Sequence, residues 1–283
     1  MPCVLPGHMN SPKRLIINAD DHGACRAVNA AVQQLAAAGL LGGVSVLANG
    51  RWWLEAADFL RDHPEVSAGI HLNAVEGRPV SAAPAIPAIT GANGLFVGLR
   101  ALLKSWMLRP LAVGRAVETE WRAQIERLMR SGVMLTHADS HQHVHAFPPA
   151  YRCAVRLCRE YRIPALRHPR ECGTRPERRA SSLALRISLA LSRAVAPRTA
   201  LRHNDHFLGF QRVGGYGLAQ LIEDLRRMPN GLTEIALHPS SEDGVPYLNL
   251  CGDRERQALL DDSFRVQIER LGIELTTWKM VRP

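Results

Sequence analysis

The stretch His137–His145, HADSHQHVH, offers five nitrogen or carboxylate donors in nine positions. Histidine is uncommon, and its recurrence at 141, 143 and 145 suits metal ligation or proton transfer better than a solvated tract. On an extended segment, alternation sends His141, His143 and His145 to one side. Neighbours on one loop cannot all reach one centre, so some of them are expected to serve substrate or to hold other ligands in place. Asp20 and Asp21 are adjacent carboxylates at the end of an apolar run, followed by His22. Such a pair repels itself unless a cation or a proton intervenes. His71 lies in GIHLN between Ile70 and Leu72, and on its own would read as a core histidine. One carboxylate with two neutral imidazoles is a common catalytic metal set that leaves positions open for water and substrate. A second carboxylate beside it can act as general base, and His238 can give a proton to a leaving amine. This chemistry is metal-assisted hydrolysis.

The elements that must position these groups alternate. Arg14–Ala19, Val44–Ala48, Ser67–Leu72, Met134–Ala138, Ala165–Arg167, Ala200–His203, Thr233–Leu237 and Ile273–Thr277 read as strands. Ala27–Ala38, Trp52–Arg61, Ala116–Arg130, Pro149–Tyr161, Arg178–Val195, Leu218–Met228 and Arg254–Leu271 read as helices. Residues 78–114, rich in Pro, Gly and Ala, read as an irregular excursion with one short helix near 98–108. Strand–helix alternation of this kind implies a parallel sheet. The ionisable residues recur after strands: Asp20 and Asp21, His71, Asp139 to His145, Arg167, His238. Strand ends converge on one mouth of a β/α barrel, which brings residues distant in sequence together. Residues 1–13 are set aside as an N-terminal extension, and 14–283 are expected to form one barrel domain.

Bulk properties narrow the class. A chain of 283 residues with 46% hydrophobic and 22% charged content excludes global disorder. No apolar run reaches the roughly 18–20 residues of a membrane span, and the start shows no signal-peptide pattern. Six cysteines without CxxC spacing suit reduced thiols and a cytoplasmic setting. The net charge is +9, yet only 5% of residues are aromatic and no basic–aromatic interleaving occurs, which argues against nucleic acid. In Arg178–Val195, Arg179, Ser182, Arg186 and Arg193 share one helical face and the rest is largely Leu, Ile and Ala. The expectation is a helix packed on the barrel with a solvated arginine stripe; the competing reading is peripheral contact with a membrane.

Five blocks in order resemble the YdjC-like carbohydrate deacetylases, which include chitooligosaccharide deacetylase and a hopanoid-biosynthesis branch. They are INADDHG at Ile17–Gly23, VSVLANG at Val44–Gly50, GIHLNAVEGRPV at Gly69–Val80, THADSHQHVHAFP at Thr136–Pro148 and EIALHP at Glu234–Pro239. The resemblance implies a distorted TIM-like barrel and hydrolysis of the N-acetyl group of an N-acetylglucosamine-type sugar or glycolipid. It implies Asp20 as general base, Asp21, His71 and His141 as ligands of Mg2+ or Zn2+, and His238 as acid or oxyanion partner. Asp139, His143, His145 and Arg167 are implied as substrate-binding or supporting residues. His22 stands where the family has Phe, and Ser240 where it has Gly; His22 is expected to reshape the pocket or to add a titrating group beside Asp21, and Ser240 to alter the loop that carries His238. Partners expected are the acetylated sugar or glycolipid, no nucleic acid, peripheral membrane contact and a homodimer. Competing functions are another metal-dependent amidohydrolase or phosphoesterase, or an inactive glycan-binding homologue.

Overall fold

The apolar runs become strands of one parallel sheet, and what each strand turns inward differs in kind from what it turns outward. The chain is described by a computed structural model over residues 11–173, 179–195, 200–242 and 252–281. Cys3, Cys251, Arg178 and most of the N-terminal extension lie outside the described residues. In order, the elements are β1 (Lys13–His22), α1 (Arg26–Ala37), β2 (Gly43–Val46), α2 (Trp53–Asp62), β3 (Ala68–Leu72), α3 (Leu99–Leu108), α4 (Pro110–Arg130), β4 (Leu135–Ser140), α5 (Pro148–Glu160), α6 (Arg179–Val195), β5 (His206–Leu208), α7 (Leu218–Arg227), β6 (Gly231–Leu237), α8 (Gly252–Leu260), α9 (Asp262–Arg270) and β7 (Ile273–Leu275).

The strand order is β4-β3-β2-β1-β6-β5. β1 is central and long: Lys13–Ala19 pairs with Gly231–Leu237 of β6. On its other side β7 covers Lys13–Leu15, and β2 takes over from Asn18. The sheet curls until its edges nearly meet. The extended segment 165–172 fills the seam, bridging β4 through Ala138–Leu166 and β5 through Glu171–Phe207. The result is a distorted TIM-like (β/α) barrel closed along one side by single bridges rather than by a full ladder.

Outward-facing residues pack on helices. Ile17, Leu35, Leu208, Ile235, Leu225 and Phe264 belong to one cluster beneath α7–α9. Val44, Ile70, Leu72, Val32, Trp121 and Ile125 belong to another beneath α1–α5. The amino-terminal end of the barrel is plugged by Ile16, Leu232 and Trp278. Above that plug the interior is polar: Asn18 donates to Ser45 Oγ at 2.8 Å, and Ser45 donates to Asp139 Oδ2 at 2.8 Å. Close packing there requires glycine at 69, where a Cβ would sit 2.3 Å from the His137 ring.

Several expectations change. β1 does not stop at Ala19; it continues through Asp20–His22, because polar residues that face a polar interior need not end a strand. The expected strand at 200–203 is one bridge, Ala165–Arg202, and the ladder-forming strand is His206–Leu208. Ala165–Arg167 likewise makes only bridges. Arg254–Leu271 is two helices, broken where Asp261 caps α9 by accepting from Ser263 N–H at 2.8 Å. The Ala116–Arg130 helix starts earlier, at Pro110, whose missing N–H costs nothing in the first turn.

α6 packs on the barrel with Arg186 and Arg193 solvated, as expected, but several of its aliphatic side chains are solvated as well. Ser182, Leu189 and Ser192 are buried, and the Ser188 and Ser192 hydroxyls each donate to Ala146 O at 2.8 Å. Leu183, Ile187 and Leu191 are exposed, along with Arg186 and Arg193. The stripe Leu183, Ile187 and Leu191 therefore faces away from the barrel, while Leu189 faces it. Among the described residues no helix is long and apolar enough to cross a membrane.

Candidate functional site

The carboxyl ends of β1, β3, β4 and β6 surround a cavity of about 350 Å3. Asp20, His71, His141 and His238 line it, under walls that include Leu99, Phe207, Phe210 and Val213. That size admits a group such as one sugar ring.

Asp21 is the point of convergence. Its backbone is left-handed, φ 62°, at the top of β1. This turns its carboxylate towards β3 and the turn after β4. Oδ1 lies 3.3 Å from His71 Nε2 and 3.0 Å from His141 Nδ1. Each ring's other nitrogen faces a second carboxylate. His71 Nδ1 meets Asp139 Oδ1 at 2.7 Å, and His141 Nε2 meets Glu76 Oε2 at 2.9 Å. If each imidazole is neutral, its single proton goes to that outer partner and the inner lone pair is aimed at Asp21. Three electron-rich atoms facing one another at such distances demand either extra protons or a cation.

The electrostatics agree. Burial alone would raise the Asp21 pKa, yet His141, His71 and His238 together hold it well below the usual carboxylate range. Burial alone would depress His141, yet Asp21 and Glu76 push it up to about 10. His71 is likewise raised against its burial, chiefly by Asp139. Asp21 Oδ2 is buried with no hydrogen-bond partner, and His238 Nε2 stands 3.9 Å from it. The donor set Asp21, His71 and His141 thus fits a divalent cation: one oxygen and two nitrogens within 4.8 Å of one another, buried, with a coordinating atom unspent. Asp20, His71 and Asp139 also cluster this closely, but Asp20 and Asp139 are already bound to the Arg167 guanidinium, which would repel a metal.

Arg167 is fully buried and is the hub of the interior. Its Nη1 and Nη2 donate to both oxygens of Asp20 at 2.7 Å, and its Nε donates to Glu234 Oε1 at 2.9 Å. Nη2 also lies 2.7 Å from Asp139 Oδ2. Three carboxylates share one positive charge. Burial, together with Asp139 and Asp20, pushes Glu234 up to about 7. Asn18 Nδ2 donates to Asp20 Oδ1 at 2.7 Å, so the carboxylate that reaches the cavity is held from three directions.

The three alternate histidines do not share a side. Residues His141–Ala146 form a 3-10 turn in which Gln142 and His143 are left-handed, φ 52° and 54°. His141 turns to Asp21. His143 lines the cavity, edge-on to Phe207 with ring centroids 5.2 Å apart. His145 is buried between the Ser140 hydroxyl at 2.6 Å and Arg167 O at 3.0 Å, which fixes the turn to the seam segment. His22 also departs from expectation. Its ring makes an edge contact with Phe59 at 5.9 Å, beneath α2 and away from the cavity, with neither nitrogen hydrogen-bonded. Burial lowers its pKa to about 3, so it behaves as a neutral stand-in for an aromatic core residue.

Ser240 is buried and its N–H donates to Gly252 O at 3.1 Å, while His238 N–H donates to Glu255 Oε2 at 2.7 Å. α8 therefore sets where His238 stands. Sequence reasoning missed Glu76 and Glu234. Glu76 carried a signal, a carboxylate four residues beyond the His71 strand in GIHLNAVEG. Glu234 carried the rarer one of an acid inside an apolar strand.

Comparison with known proteins matches these features to a group. The family model for YdjC-like proteins matches residues 14–270. A carbohydrate deacetylase of Brevibacillus brevis is 31% identical over 227 residues, covering 80% of this chain and 81% of its own. A human carbohydrate deacetylase is 28% identical over 300 residues, covering 94% and 91%. A crystal structure from Enterococcus faecalis V583, provisionally assigned as a cellobiose-phosphate cleavage protein, superimposes with a TM-score of 0.75 at 25% identity, over 95% of this chain and 98% of that one.

Proposed function

The chain belongs to the YdjC-like family, and from that premise we propose that it is a metal-dependent carbohydrate deacetylase. The reaction is hydrolysis of the N-acetyl group of an N-acetylglucosamine-containing sugar or glycolipid, releasing acetate. The observation that carries this reading is the convergence of Asp21 Oδ1, His71 Nε2 and His141 Nδ1, each imidazole already oriented from behind by Asp139 or Glu76.

These three residues would hold a divalent cation, with Zn2+ favoured over Mg2+ because two of the donors are imidazole nitrogens. Bound there, the ion would supply Lewis-acid chemistry towards the acetyl carbonyl and the attacking water. Asp20 receives the proton of that water on its carboxylate, which Arg167 and Asn18 hold at the cavity floor. His238 donates from Nε2 to the departing amine, giving the free amino sugar and acetate. Phe207, Phe210 and Leu99 offer apolar faces to the sugar and exclude water.

The Enterococcus neighbour's assignment raises a phosphorylated sugar as a second reading. Among the described residues no arginine or lysine lines the cavity, which favours an uncharged sugar. The test is acetate release from N-acetylglucosamine, its disaccharide and a lipid-linked form, beside phosphate release from sugar phosphates, with and without chelator. Chelator-sensitive acetate release is expected. Phosphate release without acetate would replace the reading.

A further inference from the structure

Two sets of large apolar side chains lie outside the site. At the α3–α4 junction Met107, Leu108 and Leu111 are 70–77% exposed. On α6, Leu183, Ile187 and Leu191 are 52–58% exposed and, four residues apart, form one outward stripe. Single exposed apolar residues need no explanation, but clustered sets mark an interaction surface.

Both sets flank one point of the chain. Trp106, beside Met107, contacts the Phe147 ring at 5.6 Å. Ser188 and Ser192, next to Ile187 and Leu191, bond to Ala146 O. Ala146 and Phe147 lead from the histidine turn into α5, and α3 itself begins at Leu99 on the cavity wall. The patch therefore lies on the side of the barrel where the cavity opens.

The charge around it has one sign. Arg100, Lys104, Arg109 and Arg115 are exposed around the first set, and no acid occurs between residues 99 and 117. Arg186 and Arg193 flank the second, and α6 carries no acid. Between them, across a groove of about 800 Å3, α5 exposes Arg152 and Arg159. The acids at that groove, Glu118 and Glu160, are engaged by Arg156 and Arg122.

We propose that this face docks peripherally on an anionic lipid bilayer, the two apolar sets entering the headgroup region while the surrounding arginines and Lys104 meet lipid phosphates. Aliphatic side chains ringed by basic residues on helices too short to span are the pattern of interfacial binding. A second copy of the chain is a poorer occupant, since a two-fold contact would set these cations against themselves. Nucleic acid would call for aromatic rather than aliphatic contacts.

The test is co-sedimentation of the full chain with vesicles of phosphatidylcholine alone or mixed with phosphatidylglycerol. Binding is expected to the mixed vesicles, weakening as salt shortens the screening length. Leu111→Ser with Ile187→Asp, and separately Arg186→Glu with Arg193→Glu, should each lower partitioning at least about tenfold. Arg226→Glu, exposed on α7 away from this face, should change it far less. Circular dichroism melts establish that each variant is folded. No binding to anionic vesicles at low salt would overturn the proposal. So would folded variants that bind like the parent, equal loss in Arg226→Glu, or light scattering that shows the apolar substitutions splitting a dimer. The assay reads no catalysis, so either result leaves the proposed reaction standing or falling on its own test.

Discussion

Alternate residues of β1 live in two media. Leu15 and Ile17 point outward into packed hydrocarbon beneath α7–α9. Asn18 and Asp20 point inward, into a network of buried hydrogen bonds and ion pairs centred on Arg167. The outer face is specified by volume: another aliphatic side chain of similar size would satisfy it. The inner face is specified atom by atom, because a buried polar group without its partner loses its full solvation. Substitution inside should therefore separate chemistry from stability, whereas substitution outside should not.

The largest effect belongs to the proposed ligand set. His71→Ala should abolish acetate release and bound metal together, while Asp20→Asn should keep the metal and lose about 10²–10⁴-fold in kcat. Metal content by mass spectrometry beside an acetate assay checks both, and full activity in Asp20→Asn would remove Asp20 as the base. Arg167→Met strands three buried carboxylates and should cost about 3–5 kcal/mol, read by denaturant unfolding. A loss no larger than an ordinary core truncation would mean that the carboxylates relax into water.

On the outer face, Ile17→Ala should cost about 2–4 kcal/mol with kcat and metal affinity unchanged in the folded fraction. A change in metal affinity there would dissolve the distinction between the two faces. Glu76→Gln sharpens it from within: stability should hardly move, but zinc affinity by calorimetry should fall about 10–100-fold, as His141 loses the carboxylate that fixes its tautomer. The smallest signal is a slope. Glu234, raised from 4.5 to about 7, contributes stability that is whole below pH 4.5 and lost as pH rises through 7. Glu234→Gln should flatten that decline in a series of unfolding curves, and an unchanged slope would place the titration elsewhere.

The same two faces explain what the sequence made legible. Helices and strands were readable wherever the outward stripe is apolar, as in Ile70–Leu72 or Ala27–Leu35, because periodicity reports burial against hydrocarbon. The end of β1 was not, since its last residues alternate polar with polar. β5 is three residues long, HFL, and carries too little pattern to stand out. In the site, Asp21, His71 and His141 were legible as residue types placed after strands. The geometry that turns His141 to Asp21 and sends His143 and His145 elsewhere was not legible from spacing, because it depends on left-handed residues at 21, 142 and 143. Glu76 and Glu234 act through contacts 65 and 67 residues away in sequence, beyond the range of any local motif.

The seam at 165–172 has a consequence of a mechanical kind. A ring cut at one place is held by whatever crosses its bore, and here the crossing piece is Arg167, rooted in the seam and fastened to β1 through Asp20 and to β6 through Glu234. It works as a tie rod. The residue that closes the ring also steadies the proposed base, so a barrel that sprang open would disarm Asp20 as well.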